Sequence, residues 1–148
     1  MEPIYNWDSE NNIATCTIMD KAGRKFVGTA KCHPDDIPFA NQYTGSHIAF
    51  NRAFILYLKS IKRDILQPEL RALKQLYYSM NQSKNFNPNS YENKMLWRQI
   101  RMKELDLATI EEELATQEQN LTFFIEEKTK LYNKLSAARK RAQKVNLE

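Results

Sequence analysis

The sequence predicts an α+β fold, with a small N-terminal antiparallel β-hairpin or sheet followed by a long helical hairpin that carries a coiled-coil-like seam. Three observations lead there. Residues 13–19 alternate side chains between two faces, as a strand does. From Gly45 to Met80 the apolar residues recur at helical spacing. From Tyr91 to Glu148 neither Gly nor Pro occurs, and a seven-residue apolar repeat accompanies most of that stretch.

In chain order, Ile13, Thr15, Thr17 and Met19 share one face of the first predicted strand, and Ala14, Cys16 and Ile18 share the other. Asp20 to Gly23 makes a turn, and Lys25 to Cys32 returns antiparallel, with Gly28 a bulge or a close-packing point. His33 to Pro38 reads as a rigid polar loop, because its two prolines cannot continue a central strand. A short third strand or an irregular segment is expected over 37–43. A first long helix opens at Gly45 and Ser46, with Ser46 as its cap, and runs to about Leu66. Pro68 either kinks that helix or starts a second one, since a missing N–H costs little in a first turn. Residues 81–90, rich in Asn and Ser, form a polar connection, and the last helix starts near Tyr91. The resulting division is a β-rich module over 1–45 and a helical hairpin over 46–148 that share one domain.

The seam of the last helix comprises Ile100, Leu107, Leu114, Leu121, Leu135 and Ala142 in one register and Leu96, Ile110, Phe124, Leu131, Ala138 and Val145 in the other. Asn93, Lys103, Gln117 and Lys128 interrupt it. Such a stripe needs a facing helix, because each wet Leu or Ile forfeits roughly 1.5–3 kcal/mol. That helix comes from the same chain or from another copy, and a homo-oligomer, a dimer or larger, is expected. Charge sharpens the geometry. Eight acids and no Lys or Arg lie between Glu104 and Glu127, then seven bases and no acid between Lys128 and Lys144. The segregation favours antiparallel packing, since a parallel in-register pair sets acid against acid. If the polar connection folds the chain back, facing residues have numbers that sum to roughly 171, which sets the acidic stretch beside Lys59, Lys62 and Arg63, while the turns from Lys128 onward overhang.

The remaining composition narrows the class. With 148 residues, 42% hydrophobic and 27% charged, the chain suits a modest soluble domain, and its net charge of +4 is moderate. No run approaches about 18 apolar residues and the first residues carry no basic, apolar leader, so a cytoplasmic protein with no membrane contact is expected. Cys16 and Cys32 read as reduced and structural. Two His and two Cys in different elements do not make a zinc site, and no phosphate loop, H-E-x-x-H or nucleophile elbow occurs. Asp35 and Asp36 read as turn formers. The expectation is therefore a binding protein without catalysis, metal or cofactor.

Planar and polar groups gather around the interhelix connection: Tyr77, Tyr78, Asn81, Asn85, Phe86, Asn87, Tyr91, Trp97, Arg98 and Arg101. Aromatic rings stack bases, Asn pairs with an adenine edge, and Arg holds phosphate. The plainer alternative is that Tyr77 and Trp97 are core and the Asn residues shape the loop. Arg52, amid Ala49, Ala53 and Phe54, calls for an anionic partner, either a carboxylate of the chain or a ligand phosphate. Arg139, Lys140, Arg141 and Lys144 offer a nucleic-acid contact.

The run Gly28-Thr29-Ala30-Lys31-Cys32-His33-Pro34-Asp35-Asp36, followed by Gly45, Ile48, Ala49, Arg52 and Ala53, resembles a pattern in small proteins of phages that infect Firmicutes. In outline these are similar to double-stranded RNA-binding domains, although Gly45, Ser46 and His47 stand where such domains carry a Lys-rich helix start. The chain also resembles the phage anti-Thoeris sponge proteins, which sequester cyclic ADP-ribose-type immune signals between subunits. That resemblance implies arginines for the diphosphate and an aromatic with an Asn for the base. Here the matching types are Arg52, Tyr77, Asn87, Arg98 and Arg101. The expected function is a phage anti-defence protein that withholds a nucleotide second messenger at an inter-subunit pocket. The alternatives are an inhibitor docking directly on a bacterial defence or transcription protein, and a nucleic-acid-binding accessory protein.

Overall fold

The computed structural model describes residues 2–31, 42–83 and 86–147. Strands β1 (Ile4–Asp8), β2 (Ile13–Met19) and β3 (Lys25–Lys31) form an antiparallel sheet in the order β1-β2-β3. The fold is α+β as expected, since long helices follow this sheet: α1 (Gln42–Ser60), a π-helical turn (Ile61–Leu66), α2 (Gln67–Asn81) and α3 (Tyr91–Leu147). Strand β1 is an addition to the expected hairpin. Its Tyr5 and Trp7 suit a strand, but Ile4, Asn6 and Asp8 give the other face no consistent apolar character.

Local chemistry sets the turns. Between β1 and β2 the Asp8 carboxylate accepts the backbone N–H groups of Glu10 (3.1 Å) and Asn11 (3.2 Å) and the Asn11 amide (2.8 Å). Asn12 then takes a left-handed φ of 53°, which Asn tolerates better than most residues. Between β2 and β3 the Asp20 carboxylate accepts the N–H groups of Ala22 (3.0 Å) and Arg24 (2.9 Å), and Gly23 supplies φ 84°. The Arg24 guanidinium closes the turn on the same carboxylate at 2.8 Å.

By contacts the chain forms two compact units, Met1–Tyr57 with Thr116–Glu148, and Leu58–Ala115. This division falls within α1 and α3, elsewhere than the 1–45 and 46–148 split read from the sequence. In the first unit, β2 turns Ala14, Cys16 and Ile18 onto a core with Ala30, Ala49 and Ala53, which Trp7, Ile48, Phe50 and Phe54 border. The small side chains let α1 lie close to the sheet. Gly28 pairs regularly with Cys16, without a bulge, and is the point of closest approach. A Cβ there falls 2.1 Å from the Ala49 carbonyl oxygen and 2.5 Å from the Ala53 nitrogen. Cys16 is a free, buried thiol whose pKa burial pushes up. Cys32, His33, Asp35 and Asp36, and most of the expected segment 37–43, lie outside the described residues. Helix α1 starts at Gln42, ahead of the expected Ser46 cap, and Gly45 is inside it, where a Cβ meets Ala14 at 3.0 Å.

In the second unit α3 packs on α2 through Leu70, Leu96 and Ile100, bordered by Leu73, Tyr77, Met80 and Leu107. Ion pairs flank this cluster: Lys62 with Glu111 (3.3 Å), Lys74 with Glu104 (3.7 Å) and Lys103 with Glu69. The Glu69 bond pushes the Lys103 ammonium pKa up. Of the three bases expected beside the acidic stretch, Lys62 meets it, whereas Arg63 binds its neighbour Asp64 at 2.9 Å. Pro68 sits in the first turn of α2, and the helix remains unbroken because the π-helical turn before it relieves the clash of the proline ring with the carbonyl one turn back.

Burial along the α3 seam is graded. Leu96, Ile100 and Leu114 are buried, and Leu107, Ile110, Leu121 and Phe124 are half-buried. Leu131 and Leu135 are exposed. Among the described residues no helix is long and apolar enough to cross a membrane.

Candidate functional site

A concave surface with mixed chemistry lies in the first unit, where the first turns of α1 meet β1 and α3. Tyr5, Gln42, Tyr43, Thr44, Ser46, His47, Phe50 and Lys128 line a cleft of about 840 Å³, within the roughly 300–1,000 Å³ range of small-molecule sites. Gly45 seats α1 on Ala14 and Trp7, so positions 43 and 47, one turn apart, fall on the open side of the helix. Tyr43 is 77% exposed and His47 is exposed as well. Phe124 and Lys128 are likewise one turn apart on α3. The His47 ring lies 4.2 Å from the Phe124 ring at a tilt of 41°, and the Lys128 ammonium stands 5.5 Å from that ring's centroid. The Tyr5 phenol pKa is raised by burial and by the neighbouring Cys16 thiol.

This arrangement offers faces for a planar ring from Tyr5, Tyr43, His47 and Phe50, and a cation from Lys128. The first turn of α1 carries the positive end of the helix dipole. An anion beside a planar ring is the ligand chemistry these groups match. The sequence reading missed the cleft because its residues come from three separate elements. The spacings were present in pairs 43/47 and 124/128, and the hairpin sum near 171 sets residue 47 opposite residue 124.

The five residues predicted for ligand binding are distributed differently. Arg52, in the first unit, is exposed and donates from Nη1 to the Thr29 carbonyl oxygen at 2.7 Å. The anionic partner expected of a partly buried arginine is thus replaced by a strand carbonyl, which a guanidinium at the surface binds well. The other four belong to the second unit. Tyr77 borders the α2–α3 core, its ring 5.6 Å from Trp97 and edge-on to Phe86 at 6.3 Å. Arg101 stacks over Trp97 at 5.1 Å, so Tyr77 and Arg101 meet through that indole. Arg98 is exposed on α3. Asn87 shapes the connection: its Oδ1 accepts the Asn89 N–H at 3.0 Å, and its carbonyl accepts the Asn93 amide, which ties the loop to α3. Asn85 lies outside the described residues. Tyr77 and Asn87 therefore serve as core and loop formers here, while Trp97, Arg98 and Arg101 form an open surface.

A second concavity, of about 610 Å³, lies between α2 and α3 in the second unit and is predominantly apolar, with Leu73, Leu76 and Met102 edged by Glu69, Lys103 and Asp106. Among the described residues no three His, Cys, Asp or Glu side chains gather as metal ligands. No family model, curated protein or solved structure matches this chain.

Proposed function

We propose that this chain is a non-catalytic binding protein that captures a nucleotide-type ligand in the cleft at the start of α1. The observation that carries the reading is the joining of the Tyr43, His47 and Phe124 rings with the Lys128 ammonium beside a helix N-terminus. A base stacks on the exposed Tyr43 and His47 rings and a phosphate lies against Lys128 at the positive end of the α1 dipole. Together with the resemblance of residues 13–60 to phage proteins, this directs the choice of ligand to cyclic ADP-ribose-type or cyclic oligonucleotide signals. A phage anti-defence protein in the bacterial cytoplasm withholds such a signal by binding alone, in an assembly that is a dimer or larger.

A thermal-shift screen against cyclic ADP-ribose isomers, cyclic di- and trinucleotides and a short RNA duplex tests this. Free ligand at about 100 times its dissociation constant adds roughly 2.7 kcal/mol, a rise of several degrees. A rise with one small nucleotide, reduced in Lys128→Ala, agrees with the reading. A rise with the duplex alone, falling steeply with salt, replaces it with nucleic-acid binding.

A further inference from the structure

We infer that the exposed C-terminal part of α3, from Lys128 onward, is a docking helix for a second copy of this chain, and that it seats in the apolar groove between α2 and α3 of that copy. The inference rests on the proposed assembly and names its surfaces. Leu131 and Val145 are 44% and 69% exposed, and with Leu135, Ala138 and Ala142 they continue the heptad stripe of α3. A stripe with this period matches a helical groove better than a flat sheet. The bases from Lys128 to Lys144 flank it and no acid interrupts them.

The groove has the complementary character. Its floor is Leu73, Leu76 and Met102, with Leu76 and Met102 more than half exposed. Its rim carries Glu69 and Asp106 with Lys103, which pairs with Glu69, and the α3 segment from Glu104 to Ala115 holds five acids, of which Glu104 and Glu111 pair with Lys74 and Lys62. A basic helix with an apolar stripe therefore meets an apolar trough that continues along α3 into a run of acids. The same basic ends set against each other repel, which disfavours pairing of two such ends and directs each to the acidic part of its partner. Burying both apolar surfaces removes the exposed leucines that neither leaves covered alone.

Two measurements on the full chain decide the inference. Light scattering of Leu131→Asp/Leu135→Asp is expected to give the monomer mass where the wild type gives a dimer or larger, with helicity by circular dichroism retained. Charge exchange supplies the second. Lys134→Glu/Lys140→Glu/Lys144→Glu and, separately, Asp106→Lys/Glu112→Lys are each expected to lower the mass to that of the monomer, and mixing them in equal amounts is expected to restore an assembled species. An assembled wild type whose mass none of these substitutions lowers overturns the groove assignment while leaving oligomerisation standing. A mixture that stays monomeric also overturns it. A wild type that is monomeric at all accessible concentrations overturns both the inference and the assembly on which it rests.

Discussion

Gly28 is the position where a single atom matters most. Any Cβ there enters the backbone of α1, and backbone cannot yield as the tip of a flexible side chain can. Gly28→Ala is expected to cost about 1–3 kcal/mol by forcing α1 off the sheet, which lowers the melting temperature by several degrees in a circular-dichroism melt. An unchanged melting temperature contradicts the close packing. The two turn aspartates make a pH prediction. The bonds from Asn11 hold the Asp8 carboxyl below its usual range; at Asp20 burial acts upward, but the bonds and charge of Arg24 outweigh it and the net direction is down. Groups with depressed folded pKa values contribute stability above the unfolded value near 4, and that contribution disappears as the pH falls through the lower folded value. Melting temperature is therefore expected to fall on acidification below about pH 4, and less so in Asp8→Asn/Asp20→Asn. At this scale the sequence showed Gly28 as a close-packing candidate, because a glycine in a strand has few other uses. It did not show that Arg52 binds a strand carbonyl, since nothing in its neighbours indicates a backbone acceptor.

Among the elements, α3 shows how far periodicity carries and where it stops. Its repeat marks the stripe that Leu96, Ile100 and Leu107 bury against α2, and the charge segregation anticipates the pairing of Lys62 with Glu111. The relative weight of these two contributions is testable. Side chains in the three flanking ion pairs are at least about a third exposed, and exposed pairs contribute about 0–1 kcal/mol each. Ile100 is 2% exposed, and truncation of such a residue to Ala costs about 2–5 kcal/mol. Ile100→Ala is thus expected to lower the melting temperature by several degrees, and Lys62→Ala by no more than about 2–4 °C. The reverse order contradicts the assignment of stability to the apolar cluster. Leu114→Asp together with Leu121→Asp is expected to reduce helicity, because Leu114 is buried and Leu121 half-buried. Periodicity did not reveal β1, whose two faces lack a consistent polarity contrast, nor the π-helical turn, which Pro68 announces only as some disturbance of the helix.

For the whole molecule, the fold class was legible because alternation, helical spacing and the heptad repeat are properties of contiguous sequence. The cleft was not, because Tyr5, His47 and Lys128 become neighbours only through packing of the first unit. By residue type the sequence points instead to Tyr77, Asn87 and Arg101, which share a unit: Tyr77 borders a core, Asn87 shapes a loop and lines a small cavity, and Arg101 stacks on an indole. The molecule thus keeps its aromatic and cationic supply in two places, and the proposed capture of a nucleotide depends on the cleft of about 840 Å³ at the start of α1 rather than the cavity of about 370 Å³ beside Asn87. Isothermal titration of the wild type, Tyr43→Ala and Lys128→Ala with cyclic ADP-ribose isomers and cyclic dinucleotides tests this most directly. The account predicts saturable binding of one such ligand by the wild type, weakened by about tenfold or more in each variant, a loss of at least about 1.4 kcal/mol. Absence of binding to any of these ligands, or binding that both variants retain undiminished, contradicts it.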